Sequence, residues 1–192
     1  MNLPNKLTLL RMALIPVLIA LYLLMDVIGQ LSYLLMGIVF VVASFTDYLD
    51  GYLARKNDIV TTFGKFMDPL ADKLLVMSAL MILSDMAAKE VLAGLWMPFW
   101  IVIIILAREF IVTSVRLVAV GEGKIIAASK LGKYKTALTM VAIIWYLFLI
   151  PYVTVSAISI IGIVLMAGAT FMTLLSGLDY VVKNWKFIIA SR

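Results

Sequence analysis

Four aspartates define the chemistry that this sequence can support. Asp47 and Asp50 stand three residues apart, and Asp68 and Asp72 four apart. On a helix, i,i+3 and i,i+4 spacings put side chains on one face. If the segments bearing them are antiparallel neighbours joined through 51–65, four carboxylates converge at one end of a helix pair. Left uncompensated, such carboxylates repel and raise one another's pKa. Divalent cations would neutralise them. The chain has no histidine and no cysteine, so any such ion is held by oxygen, which favours Mg²⁺, Mn²⁺ or Ca²⁺ over thiolate- or imidazole-bound metals. The same absence excludes disulfides and Ser-His-Asp or Cys-His catalysis. Alternatively, the aspartates are solvated helix ends paired with Arg55, Lys56, Lys65 and Lys73.

The elements that must position these residues are membrane-like. Of 192 residues, 65% are hydrophobic and only 14% charged, and the mean hydropathy is +1.12. A soluble domain is nearer half apolar and a quarter charged. A crossing helix needs about 20 apolar residues. Six spans are expected, at about 7–25, 31–54, 66–86, 92–118, 131–150 and 153–178, preceded by a polar, amphipathic N-terminal segment, Asn5 to Arg11. Pro151 breaks the 43-residue uncharged run from Thr136 to Leu178, since proline cannot continue a helix without losing a hydrogen bond. Asp68-Pro69 reads as an N-cap followed by proline at the first helical position.

Fifteen of the sixteen Lys and Arg residues fall on one side of this layout, Lys89 being the exception. Cytoplasmic loops collect basic residues, so both termini are expected in the cytoplasm. The net charge of +5 is then a topological signal and not one for nucleic acid. No repeat, linker or low-complexity tract divides the chain, so one all-α membrane domain over 1–192 is expected. Trp96, Pro98 and Trp100 read as an interfacial aromatic anchor.

Asp47-Tyr-Leu-Asp50-Gly51-Tyr-Leu-Ala54-Arg55, then eight residues, Gly64, three residues, Asp68, three residues and Asp72 make eight fixed positions over 26 residues. This pattern resembles, without departure, the signature of the CDP-alcohol phosphatidyltransferases. Further support comes from Asn2-Leu-Pro-Asn5-Lys-Leu-Thr8-Leu-Leu-Arg11, Lys65-Phe-Met-Asp68-Pro-Leu-Ala-Asp72-Lys73, Ala107-Arg108-Glu109-Phe110 and Gly132-Lys133-Tyr134-Lys135-Thr136. The likeness runs from residue 2 to about 185 and is greatest to bacterial members that accept glycerol 3-phosphate.

The resemblance implies two divalent cations, Mg²⁺ or Mn²⁺, held by Asp47, Asp50, Asp68 and Asp72, with Asp72 also the general base. It implies that Gly51, Ala54, Arg55, Thr61 and Gly64 hold CDP-diacylglycerol. Asn5 and Thr8 match a segment lining the same pocket, although helix capping explains them equally well. The second substrate implied is sn-glycerol 3-phosphate. Its dianion needs cations, and Arg108, Arg116, Lys133 and Lys135 are the candidates. Arg108 and Arg116 are eight apart, about 12 Å along a helix and on nearly one face. Alternatively, these four are positive-inside anchors. Glu109 is placed to orient an arginine. Serine or inositol as acceptor needs no dianion pocket, whereas inositol phosphate does. The resemblance further implies a homodimer in the bacterial inner membrane, with its active site facing the cytoplasm. A small cation transporter is the alternative of another class, but it predicts acidic groups at mid-bilayer and repeated halves.

Overall fold

The computed structural model describes residues 3–56, 62–121, 129–153 and 156–190, with side chains described for 5–47, 49–51, 67–119, 129–153 and 156–185. Every regular element among them is helical: α1 (Leu3–Leu23), α2 (Met25–Ile28), α3 (Leu31–Lys56), α4 (Thr62–Ala88), α5 (Phe99–Gly121), α6 (Lys130–Phe148) and α7 (Ser156–Ala190).

Apolar side chains cover the outside of the fold as well as its centre. Leu23, Val27, Phe99, Phe110, Leu117, Val164, Leu178 and Val182 are exposed, while Thr8, Arg11, Asp50, Lys135, Thr139, Thr173 and Ser176 are buried. Phe40, Met36, Leu80, Leu83, Met86, Ile101, Ile105, Ile143, Tyr146 and Met166 form the apolar centre. Such a surface is stable only against an apolar solvent, because water would charge about 25 cal/mol for each Å² of exposed hydrocarbon. Three helical stretches are long and apolar enough to cross a membrane: Asn5–Leu23, Leu31–Gly51 and Ser156–Trp185. Helices α4, α5 and α6 have 27, 23 and 19 residues. They carry the charged residues Asp68, Asp72, Lys73, Arg108, Glu109, Arg116, Lys133 and Lys135.

Helix α1 packs against both α3 and α4, α6 against α3, α4 and α7, and α5 against α4 and α7. Two polar cross-links set the direction of α1 along α4. Near one end the Thr8 hydroxyl donates to Asp68; at the other, the Tyr22 hydroxyl donates to Asp85. Fourteen residues of α1 separate them, about 21 Å at 1.5 Å per residue. Lys89 closes the far cluster, 2.6 Å from Asp85 and 3.1 Å from the Tyr22 hydroxyl. The Asp85 carboxylate and the Tyr22 hydroxyl hold the Lys89 ammonium above the ordinary lysine range.

The structure departs from the sequence-based expectations in three places. The polar N-terminal segment is no separate element: α1 runs unbroken from Leu3 and passes through Pro16. Within it, Thr8 and Arg11 point inward while Leu9 and Leu10 face out. Asp68 does not cap α4, which begins at Thr62 and contains Pro69. The Asp68 carboxylate is engaged by Thr8 of α1 instead of by its own helix. Finally, the fourth span is not helical from 92: α5 starts at Phe99, after an irregular stretch at 89–98. There Glu90 has φ 53° and Gly94 φ 85°. A Cβ at Gly94 would lie 2.0 Å from Ser159 Oγ, so only glycine serves both the left-handed backbone and the close approach of α7. The Tyr146 hydroxyl donates to the Trp96 carbonyl at 2.9 Å, and Trp96 meets Trp100 edge-on with ring centres 6.0 Å apart. As expected, Pro151 lies in the break between α6 and α7.

Candidate active site

One turn of α1 presents Thr8 and Arg11, three residues apart and both buried, to the motif aspartates. Arg11 Nη2 donates to Asp50 Oδ2 at 2.5 Å, and Nη1 lies 2.9 Å from Asp47 Oδ1. Nη1 is not aligned to donate a hydrogen bond. Arg11 Nε reaches the Ala43 carbonyl at 3.4 Å, an acceptor already taken by the Thr46 hydroxyl at 2.6 Å. Asp47 and Asp50 thus share one guanidinium, and Thr8 Oγ1 donates to Asp68 Oδ1. Among the described residues no three carboxylates form a ready-made metal cage, and a cation from the chain itself stands between Asp47 and Asp50.

Asp72 differs from the other three. It forms no hydrogen bond or ion pair with any of the described residues, and it lines a cleft of about 590 Å³. Asp47 lines the same cleft, as do Arg108, Arg116 and Lys133. Five of the residues that sequence reasoning divided between metal, base and acceptor roles therefore share one space, whereas Asp50, Asp68 and Lys135 do not line it. Lys73, offered as a partner for the aspartates, donates to the Thr113 hydroxyl.

The cationic wall is built by α5, α6 and α7. Arg108 Nη1 lies 2.9 Å from Glu109 Oε1, and Arg108 Nε donates to Ser176 Oγ at 3.2 Å. Arg108 also touches the neighbouring residue of α7: a Cβ at Gly177 would come within 3.1 Å of Arg108 Cγ. The Arg116 guanidinium lies 5.6 Å from the centre of the Tyr180 ring, and its Nε is buried without a partner. Lys133 is exposed to the cleft. Lys135 behaves otherwise: it is buried, pairs with Glu109, and lines a narrower pocket beside Asp72. Residues two apart on a helix lie about 200° apart around its axis, so Lys133 and Lys135 cannot face one site together.

Asn5 lies one turn before Thr8 and Gly51 beside Asp50, both half-buried. Thr61 lies outside the described residues, and of Ala54, Arg55 and Gly64 only the helical backbone is described. Sequence reasoning missed Arg11, which it counted only as a topological charge. The signal was present: Asn5, Thr8 and Arg11 recur every three residues, a polar stripe on an otherwise apolar helix. Glu109 was seen as a partner for arginine, but its second cation, Lys135, is 26 residues away.

Comparison with known proteins decides the family. The profile of the CDP-alcohol phosphatidyltransferases matches residues 1–177. The chain belongs to the CDP-alcohol phosphatidyltransferase family. It is 43% identical to the CDP-diacylglycerol–glycerol-3-phosphate 3-phosphatidyltransferase of Bacillus subtilis, over 99% of this chain and 98% of that one. It is 37% identical to a probable phosphatidylglycerophosphate synthase of Mycobacterium tuberculosis, covering 95% of this chain and 81% of the relative. A CDP-diacylglycerol–glycerol-3-phosphate 3-phosphatidyltransferase of Rickettsia bellii is 35% identical over 93% of each chain.

Proposed function

We propose that the protein transfers the phosphatidyl group of CDP-diacylglycerol to sn-glycerol 3-phosphate, giving phosphatidylglycerophosphate and CMP. The observation that carries this reading is the shared cleft, where Asp47 and Asp72 face Arg108, Arg116 and Lys133. The names of the relatives in Bacillus and Rickettsia support it.

The residues present fit a divalent-ion site. Asp47 and Asp50 are close enough to share a fully buried guanidinium, so the pair demands positive charge, and its donors are all hard oxygens. Asp47, Asp50, Asp68 and Asp72 would hold two ions, Mg²⁺ or Mn²⁺. Bound there, such ions would neutralise the donor's pyrophosphate and the charge developing on the departing CMP.

The chain's own groups do the rest. Arg116 and Lys133 hold the acceptor's phosphate dianion, with Arg108 fixed at its side by Glu109 and Ser176. Lys135 pairs with Glu109 and so positions Arg108 without meeting the acceptor. The free primary hydroxyl of the acceptor attacks the phosphorus that carries the diacylglycerol. A new P–O bond forms to that oxygen, and the P–O bond to the CMP phosphate breaks. Asp72, unpartnered and beside the cations, takes the hydroxyl proton, the task of a carboxylate within hydrogen-bond reach. Asn5, Thr8, Gly51, Ala54, Arg55, Thr61 and Gly64 bind the nucleotide end of the donor.

The wider reading has α1, α3, α4, α5, α6 and α7 each crossing a bacterial inner membrane within one domain. Both termini and the cleft face the cytoplasm, as the side that collects Lys and Arg. A homodimer would pair α4 and α5 through exposed Leu74, Met81, Ile103 and Phe110. The test is an acceptor screen on one purified preparation, reading metal-dependent CMP release from CDP-diacylglycerol with glycerol 3-phosphate, inositol phosphate, serine and inositol. Release with glycerol 3-phosphate alone is expected. Release only with another acceptor overturns the assignment.

A further inference from the structure

Arg11 is the one buried cation set directly between motif carboxylates among the described residues. It is wholly inaccessible and spans Asp47 and Asp50, the two carboxylates that also belong to the proposed divalent-ion site. Its Nη1 is buried without an aligned acceptor although it lies 2.9 Å from Asp47 Oδ1, so the guanidinium is held by charge more than by a complete set of hydrogen bonds. A buried guanidinium normally satisfies its donor fork bidentately; here one arm is short of a partner and Nε reaches only an occupied carbonyl. The guanidinium takes one oxygen of each carboxylate, Asp47 Oδ1 and Asp50 Oδ2, and a divalent cation drawn to the same pair competes with it by charge.

We propose that Arg11 is the resident counter-cation of the Asp47–Asp50 pair and gives up that place when a divalent cation binds. This rests on the divalent-ion reading of the site and extends it. While no ion is bound, the guanidinium keeps two apposed carboxylates paired inside the bundle and anchors α1 to α3. When an ion enters, those oxygens turn to it, and the long flexible stem lets the guanidinium withdraw along the cleft side of Asp47, whose side chain is 39% exposed. Arg11 therefore lowers the apparent affinity for the metal and keeps the fold sound without it. A ligand that must first dislodge a competitor binds more weakly by the fraction of molecules ready to receive it.

The experiment uses the full chain in detergent with Mn²⁺ as probe, comparing wild type with Arg11→Gln. Mn²⁺ binding is titrated by electron paramagnetic resonance, and thermal unfolding is followed with and without saturating Mn²⁺. If the pair is formed in nine-tenths of molecules, Arg11→Gln binds Mn²⁺ about tenfold more tightly. Its unfolding midpoint falls below wild type without Mn²⁺ and returns to the wild-type value with it. Unchanged or weaker Mn²⁺ binding, or an equal fall in midpoint with and without Mn²⁺, overturns the proposal, because Arg11 would then support the carboxylates alongside the metal. Should Arg11→Gln not fold, Arg11→Lys serves: a single ammonium cannot span both carboxylates, so tighter Mn²⁺ binding than wild type is again expected and its absence again refutes. Wild-type protein showing no Mn²⁺ binding sensitive to Asp47→Asn removes the divalent-ion reading itself, and this inference with it.

Discussion

Asp72→Asn separates turnover from folding. Asp72 makes no hydrogen bond or ion pair with the described residues and faces the cleft, so the change removes no contact that the fold uses. A substitution of this kind shifts stability by about 0.5 kcal/mol or less, a midpoint change of roughly 1–2 °C for a chain of this size. Removing a general base costs about 10²–10⁴ in rate, or about 2.7–5.4 kcal/mol at 1.36 kcal/mol for each factor of ten. The asparagine keeps one oxygen donor, so metal binding is weakened and can be restored by adding more. The assay is CMP release under saturating CDP-diacylglycerol, glycerol 3-phosphate and Mn²⁺, across the acid limb of the pH–rate profile. Wild type gains rate with pH as Asp72 loses its proton; the variant is slow and has lost that limb. A variant turning over at more than a tenth of the wild-type rate, with its acid limb intact, would refute Asp72 as the base. One that regains full rate as Mn²⁺ rises would make it a metal ligand only.

Arg116→Met and Lys133→Met each remove a charged hydrogen-bond donor, worth about 1.5–3 kcal/mol, and should raise KM for glycerol 3-phosphate about 10- to 100-fold at unchanged KM for CDP-diacylglycerol; equal increases for both substrates would mean that the pair is not an acceptor site. Glu109→Gln leaves Arg108 and Lys135 uncompensated, with side chains only 11% and 6% exposed. Breaking a buried pair costs about 3–5 kcal/mol, so thermal unfolding should show a midpoint at least roughly 6 °C lower; an unchanged midpoint would show Glu109 to be dispensable to the wall. Gly177→Ala brings a methyl to 3.1 Å from Arg108 Cγ and shifts that stem by a few tenths of an ångström. Steady-state kinetics should give a several-fold higher KM for glycerol 3-phosphate while the unfolding midpoint holds, and unchanged kinetics would free Arg108 from any acceptor role.

The aspartates were legible because their chemistry is written in spacing: three and four residues, small residues between them, and no histidine to offer another route. The cations of α5 were legible for the same reason, since eight residues are about 2.2 turns and leave them about 80° apart, within one helix stripe. What escaped is non-local. The burial of Lys135 depends on Glu109 26 residues earlier, although the two-residue offset from Lys133 already put the lysines on different sides. Asp68-Pro69 carries a genuine start signal, yet α4 begins at Thr62, and Thr8 from another helix engages the carboxylate that would otherwise have capped. Arg11 escaped because a basic residue near the start of an apolar helix satisfies the positive-inside rule with no further role. Its burial against Asp47 and Asp50 follows only once α1 is packed on α3.

The site thus depends on α1 more than its composition suggests. Asp47, Asp50 and Asp68 come from two helices, and each is engaged by a side chain of the α1 turn that carries Thr8 and Arg11. Asp72 is the motif aspartate that α1 leaves alone. An isolated carboxylate inside an apolar bundle is costly to keep charged, and pairing offsets that cost for three of the four at the expense of occupying their oxygens. The fourth keeps its oxygens free toward the cleft that Arg108, Arg116 and Lys133 also line, and the cations that act on it, Arg11 and Lys135, do so at a distance instead of by contact. A base must be unengaged to reach a proton, and among the four motif aspartates Asp72 alone has no hydrogen bond or ion pair with the described residues, which is what the proposed role asks of it.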